Sequence, residues 1–275
     1  MTLAASACIL AVATALACAI PGTFVVLNKE SMVIDGIGHA VLPGIAVGYM
    51  FTGDLGSPVL TVTAALGALA VALGTQCLRR SGLVSSDAAL GLVFPAMFSF
   101  GVILISARLS HVHLDVHAVL VGDVNLVALT SPGYAGTLFA IAAVNLAFVL
   151  VFLPRLTACA FDAPFARVSG VGVGALHTAF MALVALTASA AFHTAGAMLV
   201  IALMVLPVVC ARLTCRRLTH LIPLTCAIAL ANALVGFWCA YHLNLATSPS
   251  IALANALLLC ALLIPRFRAR ARLAA

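Results

Sequence analysis

Charge is what this chain lacks. Of its 275 residues only 7% are Asp, Glu, Lys or Arg, against roughly a quarter in an ordinary globular protein. Seven acidic and 13 basic side chains are too few to solvate a surface of this size, which excludes a soluble domain. A disordered chain is excluded too, since disorder needs high charge and low hydrophobicity. The single lysine, Lys29, has no glycine-rich context, and no G-x-x-x-x-G-K-[ST] phosphate loop is present. The sequence therefore contains no recognisable means of hydrolysing ATP. It also lacks a nucleophile elbow, a zincin helix and any loop long enough for a soluble catalytic domain. The nine cysteines form no C-x-x-C pair, are odd in number and fall mostly within apolar runs. They read as small apolar side chains in helix packing rather than as a disulfide framework.

What is present is apolar. Hydrophobic residues make up 65% of the chain, with a mean hydropathy of +1.26. The bilayer is the solvent that suits such a chain. Apolar stretches of spanning length, about 17–25 residues, lie at roughly 2–27, 33–51, 57–78, 84–106, 133–153, 170–191, 195–211, 221–241 and 249–265. A weaker stretch at 116–130 contains Gly122, Asp123 and Asn125 and reads as an outer half-helix. The expectation is an all-α integral membrane protein of about nine transmembrane helices (eight to ten), forming a single domain over 1–275.

The sparse basic residues set the orientation. Lys29 lies between the first two spans, Arg79 and Arg80 close the third, and Arg155 and Arg167 flank a break at 154–169. Arg212, Arg216 and Arg217 follow the seventh, and Arg266, Arg268, Arg270 and Arg272 form the tail. With the N-terminus outside and nine crossings, all of these fall on the cytoplasmic side and only Arg108 is left outside. The first apolar run has no preceding basic residue and exceeds a signal-peptide core of about 7–15 residues, so it is expected to stay as the first helix.

Scarcity of charge makes one pair conspicuous. Within Ser31–Gly44, Asp35 and His39 are four apart and share one helix face. At a rise of about 1.5 Å per residue, His39 sits on the order of 12 Å along that helix. An ionisable residue at that depth costs about 2.5–3.5 kcal/mol on insertion scales and is a functional candidate by default. Pro43 removes the N–H that would pair with the His39 carbonyl, so a kink is expected there. Carboxylate, imidazole and carbonyl together suit Mn²⁺, Zn²⁺ or Fe²⁺, whereas Cu⁺ prefers sulfur. One helix supplies too few ligands, but two copies at a dimer axis would bring two of each. The plainer reading is that Asp35 and His39 only bond each other or a neighbouring helix.

Two further stretches stand out. His111, His113, Asp115 and His117 alternate, so an extended segment would point all four one way, as a metal-collecting vestibule or simply a solvated outer loop. In the break at 154–169, Asp162 is placed to cap a short helix beginning near Pro164. The Phe161/Phe165 pair there argues for something buried against it. Asp87 reads as an ion-pair partner of Arg79 or Arg80. His177, His193, His220 and His242 receive no role.

Taken in order, these motifs resemble the membrane permease subunits of manganese/zinc/iron ATP-binding-cassette importers. Asp35-Gly-Ile-Gly-His-Ala-Val-Leu-Pro-Gly44 is similar to their signature. Ser86–Phe94 and Phe98–Ser106 resemble their next helix, and Leu114-Asp115, His117 and Gly122-Asp123-Val124 their outer segment. Phe161, Asp162, Phe165, Arg167 and Gly170 resemble the segment that couples permease to ATPase. Ala195–Pro207 with Ala211-Arg212, and Tyr241–Pro249, resemble later family stretches. One departure is that the usual Asp-Pro-acidic-Phe reads Asp162-Ala163-Pro164-Phe165 here.

The resemblance implies a type II importer permease in the bacterial inner membrane. It implies a second permease copy or paralogue, two cytoplasmic ATP-binding subunits and an extracytoplasmic metal-binding protein. Asp35 and His39 would lie on the ion pathway, the Mn, Zn or Fe ion being cargo and no cofactor being held permanently. The chain would be a transport subunit, not an enzyme. A stand-alone secondary, ion-coupled metal transporter is the alternative.

Overall fold

A computed structural model describes residues 3–54, 57–108, 122–131, 133–215 and 217–274. The chain is all-helical over these residues. In order it forms α1 (Leu3–Leu27), α2 (Ser31–Thr52), α3 (Pro58–Arg80), α4 (Ser86–Arg108) and the short α5 (Val124–Thr130). There follow α6 (Tyr134–Phe161), the short α7 (Ala163–Val168), α8 (Val173–Thr214), α9 (Leu218–Leu243) and α10 (Thr247–Ala274). Eight of them are long and apolar enough to cross a membrane.

The sequence pattern predicts nine crossings, and α8 accounts for the difference. Its 42 residues would extend about 63 Å if straight, roughly twice a hydrocarbon core. They are not straight, because Gly196 breaks the helix at φ 74° and ψ 163°, a region that essentially only glycine occupies. Packing against α1 shows the direction of each limb. Phe180 meets Phe24, with ring centroids 6.3 Å apart. Thr187 and Ala17 share Asn145 as a hydrogen-bond donor, and Thr194 lies 3.5 Å from Thr14. The limb at 173–195 thus runs antiparallel to α1. Beyond Gly196 the chain turns back, since Met204 lies against Gly22. The two limbs form a hairpin corresponding to the expected segments 170–191 and 195–211.

The outer half-helix also forms in part. Asp123 caps α5 through Oδ1, which accepts from the Asn125 N–H at 2.9 Å. Gly122 packs on Ala195 and Gly196, and the Tyr134 hydroxyl donates to the Ala190 carbonyl at 3.1 Å. The segment therefore roofs the tip of the hairpin. Residues 109–121, which include His111, His113, Asp115 and His117, lie outside the described residues.

Water expulsion cannot drive helix association inside lipid, so close backbone approach and interhelical hydrogen bonds replace it. On α2 and α3, a Cβ at Gly44 would come within 2.5 Å of the Thr63 carbonyl oxygen, and one at Gly67 within 2.7 Å of that of Ala40. Buried Asn145 ties α6 to α8 through a 2.8 Å bond to Thr187, and Asn232 ties α9 to α10 through one of 2.9 Å to Asn255. All nine cysteines are free thiols.

Candidate ion-pathway site on α2

α2 begins at Ser31 and ends where Gly53 adopts φ +66°, its N–H closing on the Tyr49 carbonyl at 2.8 Å. Three elements hold it. α3 packs along Gly44 and Gly48, α4 presents Leu90 to Gly36, and the α8 hairpin presents Phe192 and Ala197 to Gly38. Twelve of its residues, Pro43 among them, are buried. The helix runs through Pro43 and is continuous from Ser31 to Thr52. Pro43 is also a packing residue: a Cβ on Gly101 of α4 would come within 2.7 Å of its ring.

Asp35 and His39 lie on the face these neighbours leave open. His39 Nε2 is 3.8 Å from Asp35 Oδ1, and the side chains are 30% and 49% exposed respectively. The imidazole is flanked by Phe94 and Phe98 of α4, with centroids at 5.0 and 5.6 Å. Asp35 also lines a cleft of about 420 Å³, whose other wall is Met198, Ile201, Val205 and Leu206 of the returning limb of α8. Among the described residues no three His, Cys, Asp or Glu side chains converge as a metal cage. A single chain thus offers a two-ligand pair beside an apolar wall. A carboxylate left half-open on an apolar helix is costly against lipid, so this face belongs against protein or in a water-filled passage.

After the break at the end of α6, α7 forms as its capping residue predicts. Asp162 Oδ1 accepts from the Phe165 N–H at 2.9 Å, and Gly170 reverses the chain at φ +79°. Phe161 and Phe165 are 72% and 62% exposed, so nothing among the described residues covers the pair. Arg167 is exposed beside them.

A polar cluster that sequence reasoning missed lies at the same end as α7. Glu30, only 5% exposed, accepts from Arg79 Nη1 at 2.6 Å and lies 2.9 Å from His177 Nε2. Gln76 Nε2 meets the other ring nitrogen of His177. The expected pairing of Asp87 with Arg79 or Arg80 does not occur. Arg79 turns to Glu30, whose burial makes it the costlier charge to leave alone, and Asp87 is exposed. Burial alone would raise the Glu30 pKa. The hydrogen bond and charge of His177, then Arg79, outweigh that and hold the carboxyl below its ordinary range.

Comparison with known proteins places this arrangement. Residues 1–265 match the ABC 3 transport family. The zinc transport system membrane protein TroD of Treponema pallidum is 37% identical over 72% of this chain and 56% of its own length. The chain thus spans just over half of that relative. The manganese transport system membrane protein MntD of Bacillus subtilis is 32% identical over 86% of this chain and 82% of its own. Among solved structures, PsaBC from Streptococcus pneumoniae in complex with Fab superimposes with a TM-score of 0.80 at 25% identity, covering 95% of this chain and 91% of that one.

Proposed function

This chain belongs to the ABC 3 transport family, and we propose that it carries a divalent transition-metal ion, Mn²⁺, Zn²⁺ or Fe²⁺, across the bacterial cytoplasmic membrane as one permease domain. The observation that carries this reading is the Asp35/His39 pair, 3.8 Å apart and half-open on an apolar helix with twelve of its residues buried. Against the same face of a second permease, a copy or a paralogue, two such pairs would supply four oxygen and nitrogen donors. A carboxylate–imidazole set without thiolate binds these ions reversibly, and conduction requires release as well as capture. The ion is cargo.

ATP would be hydrolysed on two cytoplasmic ATP-binding subunits, because this sequence has no phosphate loop. The exposed Phe161/Phe165 pair on and before α7 suits docking into a groove of such a subunit. A stand-alone secondary transporter would leave that pair without a partner. An extracytoplasmic binding protein would deliver the ion at the end roofed by α5. The N-terminus then faces outward and the C-terminus the cytoplasm, consistent with Lys29, Arg79, Arg80 and Arg167 sharing one end of the bundle.

The test is uptake and ATPase activity of the reconstituted complex, screened across Mn²⁺, Zn²⁺ and Fe²⁺. Asp35→Ala and His39→Ala are each expected to abolish metal-dependent uptake with membrane levels of the protein unchanged. Normal uptake by both variants would remove the site assignment.

A further inference from the structure

α9 runs from Leu218 to Leu243 and packs on α1, α8 and α10. Its other side is uncovered from end to end. Pro223, Ala227, Ala231 and Leu234, at helical spacing, are exposed along the middle. The same line continues through exposed His220 to Arg217 at one end, and through exposed Trp238 to Tyr241 at the other. The devices that hold helices together in lipid, close backbone approach and interhelical polar bonds, lie on the packed side. There a Cβ at Gly236 would come within 2.5 Å of the Ile251 Cα of α10, and buried Asn232 donates to Asn255.

The two ends of the stripe differ in kind. Arg217 and His220 make one end basic. At the other, Trp238 and Tyr241 are 48% and 55% exposed, with ring centroids 5.7 Å apart. The indole also stacks on His242 at 5.9 Å, the planes 28° apart. Each of these rings has an apolar body and a polar edge, a combination that suits the headgroup layer better than either water or hydrocarbon. From His220 to Trp238 the helix rises about 27 Å, close to a hydrocarbon core of about 30 Å. Between them the exposed residues on this side carry no hydroxyl, amide or charge. A protein partner imposes no such spacing on the polar ends of a surface, whereas a bilayer does. We infer that this side of α9 faces lipid in the assembled membrane protein, with Trp238 and Tyr241 anchored in the outer headgroup layer and Arg217 and His220 at the inner one. α2 packs on α3, α4 and α8, so the stripe is separate from the open Asp35/His39 face. A second permease seated on that face leaves α9 at the periphery.

Trp238 is the chain's one tryptophan, so its fluorescence reports on this site directly and independently of transport. The full chain, with every subunit that co-purifies with it, is reconstituted into phosphatidylcholine vesicles. These carry a nitroxide lipid labelled either just below the headgroup or near the end of its acyl chain. The same preparation bearing Trp238→Phe is the blank, which subtracts any tryptophan of the other subunits. The shallow label is expected to quench Trp238 about twofold or more over the deep one. In Trp238→Phe with Ala231→Trp, the reporter moves about 10 Å along the stripe, and the deep label becomes the stronger quencher. Quenching of Trp238 by neither label means that protein covers the stripe, and stronger quenching by aqueous iodide than by either lipid means that it stands in water; each overturns the inference. Equal or stronger quenching by the deep label overturns the headgroup anchor. Ala231 is small enough for another helix to pack on, so loss of co-purifying subunits in the Ala231→Trp variant assigns the stripe to a protein interface and overturns the inference equally.

Discussion

Glu30 stands between two helices and beside Lys29, which in sequence looks like a solvated turn. Its partners are 49 and 147 residues away, so no local spacing could announce them. Its carboxylate joins the α1–α2 turn to the end of α3 and the start of α8. The folded state holds this carboxyl below its ordinary pKa, so the stabilisation is present above the unfolded value, about 4.3. It is lost as the pH falls through the lowered folded value. Glu30→Gln is expected to lower the melting temperature in detergent near neutrality and to flatten its decline under acid; an unchanged acid limb would contradict this. Asp35 and His39 were legible because their i, i+4 spacing lies within one helix and because charge is so scarce around them. Their openness in the single chain was not.

At the scale of elements, the α8 hairpin depends on one backbone conformation. An l-residue at φ 74° and ψ 163° costs about 1–3 kcal/mol. Gly196→Ala should therefore lower thermal stability by that order, whereas Gly136→Ala, where a Cβ meets open space, should not. Both can be read from melting curves. α7 was legible from Asp162 and Pro164, since capping is a local event. Asp162→Ala removes the bond to the Phe165 N–H and should cost the short helix roughly 1 kcal/mol. With Phe161 and Phe165 then less firmly placed, ATP-driven uptake should fall while melting of the bundle is unchanged; full uptake would show that α7 needs no cap.

For the whole molecule, the reversal at Gly196 decides parity. A single straight α8 would give eight crossings and place both termini on one side; the hairpin returns the chain to the side it left, and the termini lie opposite. A tag at the N-terminus should be cleaved by protease added to intact spheroplasts, and one at the C-terminus only after lysis. Equal protection of both would overturn the topology.

The sequence by itself determined the solvent, the helical class, the segment pattern, the capped break before α8 and the Asp35/His39 spacing on one face of α2. Each follows from composition or from spacing within a few residues, where helical geometry links neighbours directly. The tertiary structure alone decided that two apolar segments form a hairpin against α1, that Pro43 packs against Gly101 of α4, and that Glu30 is locked by Arg79 and His177. It also left one side of α9 uncovered from Arg217 to Tyr241. These depend on which helices touch, and in lipid that is set by small residues and buried polar bonds between distant parts of the chain, which no local pattern records.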